Sequence, residues 1–96
     1  MRPSEALEQK REAIRQLVPQ FCASNPRVFG SVLRGLDQET SDLDILVDTL
    51  PGTTLFDLGG LQEQLRGLLG VRVDVRTPGD LPLTFRDAVI SEAEPV

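Results

Sequence analysis

Gly30-Ser31, then ten residues, then Asp42-Leu43-Asp44 is the spacing in this chain that could do chemistry. The run Ser41-Asp42-Leu43-Asp44-Ile45-Leu46-Val47 is aliphatic and β-branched, so it reads as a buried strand. Strand side chains alternate, which places Asp42 and Asp44 on one side and Leu43, Ile45 and Val47 on the other. Two carboxylates about 6–7 Å apart on one strand face repel each other unless a cation relieves them. By itself the pair also fits ordinary turn chemistry at the start of a strand. The upstream Gly-Ser adds weight. Arg27-Val28-Phe29 reads as a short strand running into Gly30-Ser31, followed by a helical turn from Val32 to Leu36. Such a junction presents backbone N–H groups to an anion. Gly30 lets a phosphate approach the backbone because no Cβ intervenes. Ser31 either offers its hydroxyl to that phosphate or caps the short helix.

A third carboxylate lies in Val71-Arg72-Val73-Asp74-Val75-Arg76, which alternates between apolar and charged residues. If this strand neighbours the Asp42–Val47 strand, Asp74 joins Asp42 and Asp44 on the open side of one sheet. Otherwise it is an edge strand with a solvated polar face. Carboxylate, hydroxyl and carbonyl ligands favour Mg²⁺ or Mn²⁺. The chain has no His and a single cysteine, Cys22, so imidazole catalysis and a thiolate zinc cluster are excluded. Arg34 either reaches a β- or γ-phosphate from the short helix or stands in solvent.

The stretches Gly30-Ser31-Val32-Leu33-Arg34-Gly35, Ser41 to Val47 and Val73-Asp74-Val75 resemble the polymerase-β-type nucleotidyltransferase superfamily. Nearly the whole chain is similar to its minimal members, the stand-alone domains encoded beside HEPN-domain toxins in prokaryotes. The resemblance implies transfer of a nucleoside monophosphate to a hydroxyl with two divalent ions. Asp42, Asp44 and Asp74 would be the catalytic and metal-binding residues, with Asp74 also helping to deprotonate the acceptor. Gly30, Ser31 and Arg34 would bind the nucleotide. Resemblance to the antitoxin members further implies AMP from ATP as the donated group and a tyrosine of a HEPN-type toxin as the acceptor. This chain has no Tyr, so tyrosine self-modification is excluded. A non-catalytic antitoxin that only binds its toxin is the alternative. A transferase acting on a small molecule or an RNA end is a more distant one.

Ninety-six residues make one domain, 1–96, with no room for a separate substrate-binding domain. The acceptor surface must then come from a partner or from a second copy in a homo-oligomer. Net charge is −5 and the bases are scattered, which argues against direct nucleic-acid binding and suits a basic protein partner. No stretch has the length of a membrane span or the pattern of a signal peptide, which points to the cytoplasm. All four phenylalanines, Phe21, Phe29, Phe56 and Phe85, read as core residues, leaving little to stack a nucleobase.

The elements that must position these groups follow from punctuation and periodicity. Pro3-Ser4-Glu5 opens a helix that Pro19 splits near Val18. Asn25-Pro26 breaks toward the first motif strand, and Asp48 reads as a turn residue. Thr54 caps a helix ending at Leu69-Gly70, within which Gly59-Gly60 permits a bend. Pro82 starts a closing helix over Leu83 to Ala93, which Pro95 ends. The order predicts an α+β fold, a small mixed β-sheet with helices packed on one face and the carboxylate face open, the polymerase-β-like nucleotidyltransferase fold.

Overall fold

The computed structural model describes residues 1–96. Helix α1 (Pro3–Leu17) leads through a 3-10 turn (Val18–Phe21) into β1 (Ala23–Phe29). The one-turn α2 (Gly30–Leu33) and β2 (Leu43–Thr49) follow, then α3 (Leu55–Leu69) and β3 (Val73–Arg76). A second 3-10 turn (Pro78–Asp80), α4 (Arg86–Glu92) and β4 (Glu94–Pro95) complete the chain. The sheet order is β3-β2-β1-β4, with β2 and β3 parallel and the other pairs antiparallel. The sheet is mixed and the architecture is α+β, as the element order predicts.

Amphipathic α1 and α3 bury their apolar stripes against one face of the sheet. Leu7, Ile14 and Val18 meet Leu61, Leu65 and Leu69 over Val28, Leu43, Ile45, Val47 and Val73. Thr54 caps α3 by accepting the Asp57 N–H at 3.2 Å, and Gly70 ends it with φ +68°. Gly60 does not bend α3. Its missing side chain makes room for the Phe21 ring, whose Cε1 would lie 2.9 Å from a Cβ there. Two α3 side chains also finish the open edge of β3: Gln62 Oε1 accepts the Val75 N–H at 3.0 Å, and Arg66 Nε donates to the Val73 carbonyl at 3.1 Å. An edge strand covered in this way offers less to a stray strand.

Several boundaries differ from expectation, each for a local reason. β1 begins at Ala23 and runs through Asn25-Pro26 rather than starting after it. Asn25 takes a left-handed φ of +52°, and Pro26, which has no N–H, sits in a bulge between Ser24 and Arg27. β2 extends through Asp48, which pairs with Arg27 on the side that carries Asp44. The closing helix starts at Arg86, four residues after Pro82, and buries no side chain. Pro95 does not simply end it but pairs with Arg27 in β4. Of the four phenylalanines expected in the core, Phe21 is half-buried and packs against it, Phe29 is half-buried, Phe56 is 91% exposed beside Leu55 at the start of α3, and Phe85 is 48% exposed. Neither of the first two residues of α3 reaches the layer in which Leu61, Leu65 and Leu69 are buried.

The carboxylate face is open only at one end. Leu46, on the same side of β2 as Asp44, is fully buried, and so is most of Leu81; both lie outside the main core. The segment after β3 folds back here, its 3-10 turn packing on β2.

Asp37, between α2 and β2, is a structural residue. It is 5% exposed, and its Oδ2 accepts the Ser4 N–H at 2.9 Å, which caps the start of α1 from a distance in sequence. Burial pushes this carboxyl up, but hydrogen bonds from Ser4 and from its own backbone, with the charge of Arg2, together outweigh it and hold the group below its usual value. Asp37→Ala removes that acceptor and should destabilise the protein by about 1 kcal/mol, typical of a lost cap. Leu65→Ala, which opens a cavity in the core, should cost about 2–5 kcal/mol. Urea unfolding of both variants checks the order.

Candidate active site

Sheet register brings the acidic residues together. Asp44 stands directly opposite Asp74 on the parallel neighbour β3 and opposite Phe29 on β1, so all three project from one face. Asp42, two residues before Asp44, shares that face just ahead of β2. Burial raises the Asp44 carboxyl most; the charges of Asp74 and Asp42 raise it further, Arg76 opposes them, and the result is about 6.

The three carboxylates share the face without closing into one group of metal-ligand geometry. Guanidinium groups hold two of them aside. Arg72 Nε lies 2.9 Å from Asp42 Oδ1, and Arg66 Nη2 lies 3.8 Å from Asp74 Oδ1. These pairs relieve the like-charge repulsion that would otherwise fall on all three acids. Asp42 Oδ1 is nevertheless buried and receives no hydrogen bond, because the Arg72 contact is badly aligned for one.

Gly30 lies where the turn meets the acids. Its φ is +76°, and a Cβ built on it would collide with the Asp44 carboxylate. A side chain is thus disfavoured twice, by backbone conformation and by the group that occupies its space. Ser31 does not cap α2: Phe29 holds the N-cap position and no side chain caps it. Arg34, at the end of α2, is exposed and lies 3.7 Å from Glu92 of α4. The helix dipole expected at this junction is small, because α2 has only four residues.

An orphaned buried oxygen on Asp42, a half-buried Asp44 whose charge is costly, and a donor set made only of oxygens fit a hard divalent cation. Below Asp44 the face continues into a cleft of about 280 Å³ lined by Phe29, Arg76, Asp80, Leu81, Pro82 and Phe85. The alternation of β3 puts Arg76 on the Asp74 side, where the sequence leaves it either to offset the acids or to touch substrate, but nothing local marks Phe85. The larger groove, about 610 Å³ between α1 and α3, lies on the helix side of the sheet, away from the acids.

The family model for a nucleotidyltransferase domain matches residues 7–95. The protein adenylyltransferase MntA of Thermococcus cleftensis is 37% identical over 78 residues, covering 81% of this chain and 79% of the relative. A protein of Methanocaldococcus jannaschii named for the same activity is 41% identical over 66 residues, covering 69% of this chain and 71% of the relative. Among solved structures, one of a minimal nucleotidyltransferase superposes with a TM-score of 0.86 at 45% identity, over 97% of this chain and 95% of the other. The toxin–antitoxin MntA–HepT shares the fold, with a TM-score of 0.67 at 17% identity over 92% of this chain and 69% of the matched one. With the matched model spanning all but the first few residues and the last, this chain belongs to the nucleotidyltransferase domain family and is an enzyme of that class.

Proposed function

We propose that this enzyme transfers AMP from ATP to a hydroxyl of a partner protein, a HEPN-type toxin whose tyrosine is modified and whose activity is thereby neutralised. The observation that carries the chemistry is the register that sets Asp44 beside Asp74, with Gly30 yielding its side-chain space to the Asp44 carboxylate. The protein target rests on the named activity of the Thermococcus relative and on the toxin–antitoxin identity of the MntA–HepT structures. A related toxin–antitoxin structure holds AMP-PNP, which supports a nucleoside triphosphate as donor. The acidic balance of the chain suits a basic protein acceptor and leaves no stripe for nucleic acid.

Asp42 and Asp44 would hold Mg²⁺ or Mn²⁺, with Asp74 completing the set. When bound, the ions would supply Lewis-acid stabilisation of the charge that builds on phosphate oxygens. The chain itself contributes position and proton transfer. Gly30 and the Ser31 hydroxyl receive the triphosphate, and Arg34, released from Glu92, directly follows the same short helix to meet its far end. Asp74 accepts the proton of the acceptor hydroxyl as its oxygen bonds to the α-phosphorus. The bond to the bridging oxygen breaks and pyrophosphate departs. The half-covered face limits water around the reacting atoms, so the fixed charges act at reduced screening.

Asp42→Asn and Asp44→Asn should each abolish labelling of the partner from α-labelled ATP with Mg²⁺, measured by gel autoradiography and by the AMP mass increment. Labelling retained in both variants would remove these residues from the site. Gly30→Ala should lower the transfer rate by at least about tenfold while costing only about 1–3 kcal/mol of stability, because the new methyl displaces Asp44. The raised carboxyl of Asp44 has a signed consequence for the chelated protein. Between an unfolded value of about 4 and the folded value of about 6, the native state binds more protons than the unfolded one, so this group's contribution to stability declines as pH rises. Asp44→Asn should accordingly melt higher than the parent in EDTA at pH 7.5, with the difference vanishing near pH 4. Differential scanning fluorimetry across that window reads both.

A further inference from the structure

We propose that the cleft below Asp44 seats the nucleobase of the incoming nucleoside triphosphate, held against the rings of Phe29 and Phe85 and chosen by stacking area rather than by its hydrogen-bonding edge. The proposal rests on the placement of Asp44 at the reacting centre.

Position comes first. Phe29 is the residue before Gly30 and stands opposite Asp44 in the sheet, so its ring adjoins both the turn assigned to the triphosphate and the acids. Phe85 faces the same cleft from the segment after β3, and Leu81 and Pro82 extend the apolar wall. At about 280 Å³ the cleft falls at the small end of ligand pockets and suits one planar ring system.

The wall is held in place by its own backbone. Asp80 Oδ2 accepts the Thr77 N–H at 3.0 Å and the Thr77 hydroxyl at 3.1 Å. Arg86 donates to the Leu81 carbonyl at 2.8 and 3.1 Å and to the Gly79 carbonyl at 3.2 Å. The Phe85 N–H donates to the Pro82 carbonyl at 3.2 Å. Thr77, Asp80 and Arg86 are therefore engaged in folding this segment, and its Leu81, Pro82 and Phe85 supply the apolar part of the lining. Of the charged side chains in the lining, Asp44 belongs to the reacting centre and Asp80 is engaged by Thr77, which leaves Arg76, whose charge acts on Asp44. It is the one arginine of the chain that forms neither an ion pair nor a side-chain hydrogen bond: Arg2, Arg11, Arg15, Arg27, Arg34, Arg66 and Arg72 meet carboxylates, and Arg86 meets carbonyls. A free guanidinium is a planar cation that lies well against any base, purine or pyrimidine, and reads no pattern by doing so. Larger rings gain more from such walls, so purines should bind better than pyrimidines and adenine and guanine about equally.

Calorimetric titration of the full chain with the magnesium salts of ATP, GTP, CTP, UTP and inorganic tripolyphosphate tests this. ATP and GTP should bind within about fivefold of each other and at least about fivefold more tightly than CTP or UTP. Phe85→Ala should weaken ATP by at least about fivefold and leave tripolyphosphate within about twofold, whereas Phe85→Trp should match or exceed the parent for ATP. Unchanged ATP binding in Phe85→Ala, an equal loss for tripolyphosphate, or an ATP preference over GTP beyond fivefold overturns the base assignment. Transfer activity that is still abolished by Asp44→Asn in that event leaves the reacting centre standing; activity surviving Asp44→Asn removes both.

Discussion

Keeping two carboxylates side by side on a sheet costs free energy, and much of this small protein is arranged around that cost. Asp44 and Asp74 are adjacent because parallel strands pair residue for residue, and Asp42 follows from the two-residue period of a strand. The penalty is visible in Asp44, whose carboxyl is raised by burial and by its two neighbours. Elsewhere it is offset locally: Arg72 stands against Asp42 and Arg66 against Asp74. A site that strains its own charges in this way is suited to an ion whose arrival relieves them.

The remaining structure serves to hold that face. α3 performs two tasks, closing the core with Leu61, Leu65 and Leu69 and anchoring β3 through Gln62 and Arg66. Asp37 ties the connector before β2 to the start of α1, so the loop that delivers Asp42 is fastened at a fixed point. Gly30 and Asp44 form the tightest of these relations, since the absence of a side chain on one makes space for the side chain of the other.

The strand–turn–strand core of the site was legible because its signals are local. Alternation put Asp42 and Asp44 on one side, Val73 and Val75 opposite Asp74, and a positive φ at Gly30 follows from its place in a tight turn. Less legible were features whose causes lie far away along the chain. Nothing near Asp37 signals that its partner is Ser4, and Phe56 carries the same periodic signature as the leucines that are buried. Glu94-Pro95 has poor strand propensity, yet it pairs with β1 because Arg27 and Val28 leave an edge to be filled. Phe85 belongs to the cleft only through the fold-back after β3, which the hydrogen bonds of Thr77, Asp80 and Arg86 determine.

The alternation that aims Asp74 at the acids also aims Val73 and Val75 at the oil-like layer beneath. Sliding β3 by one step along β2 would drop a charged group among Ile45 and Leu65 and lift a valine into water, an exchange no small domain tolerates. A misaligned but folded molecule is therefore not a stable product of this sequence. Whatever fraction of the chain attains its native state has, by the same event, brought Asp74 level with Asp44.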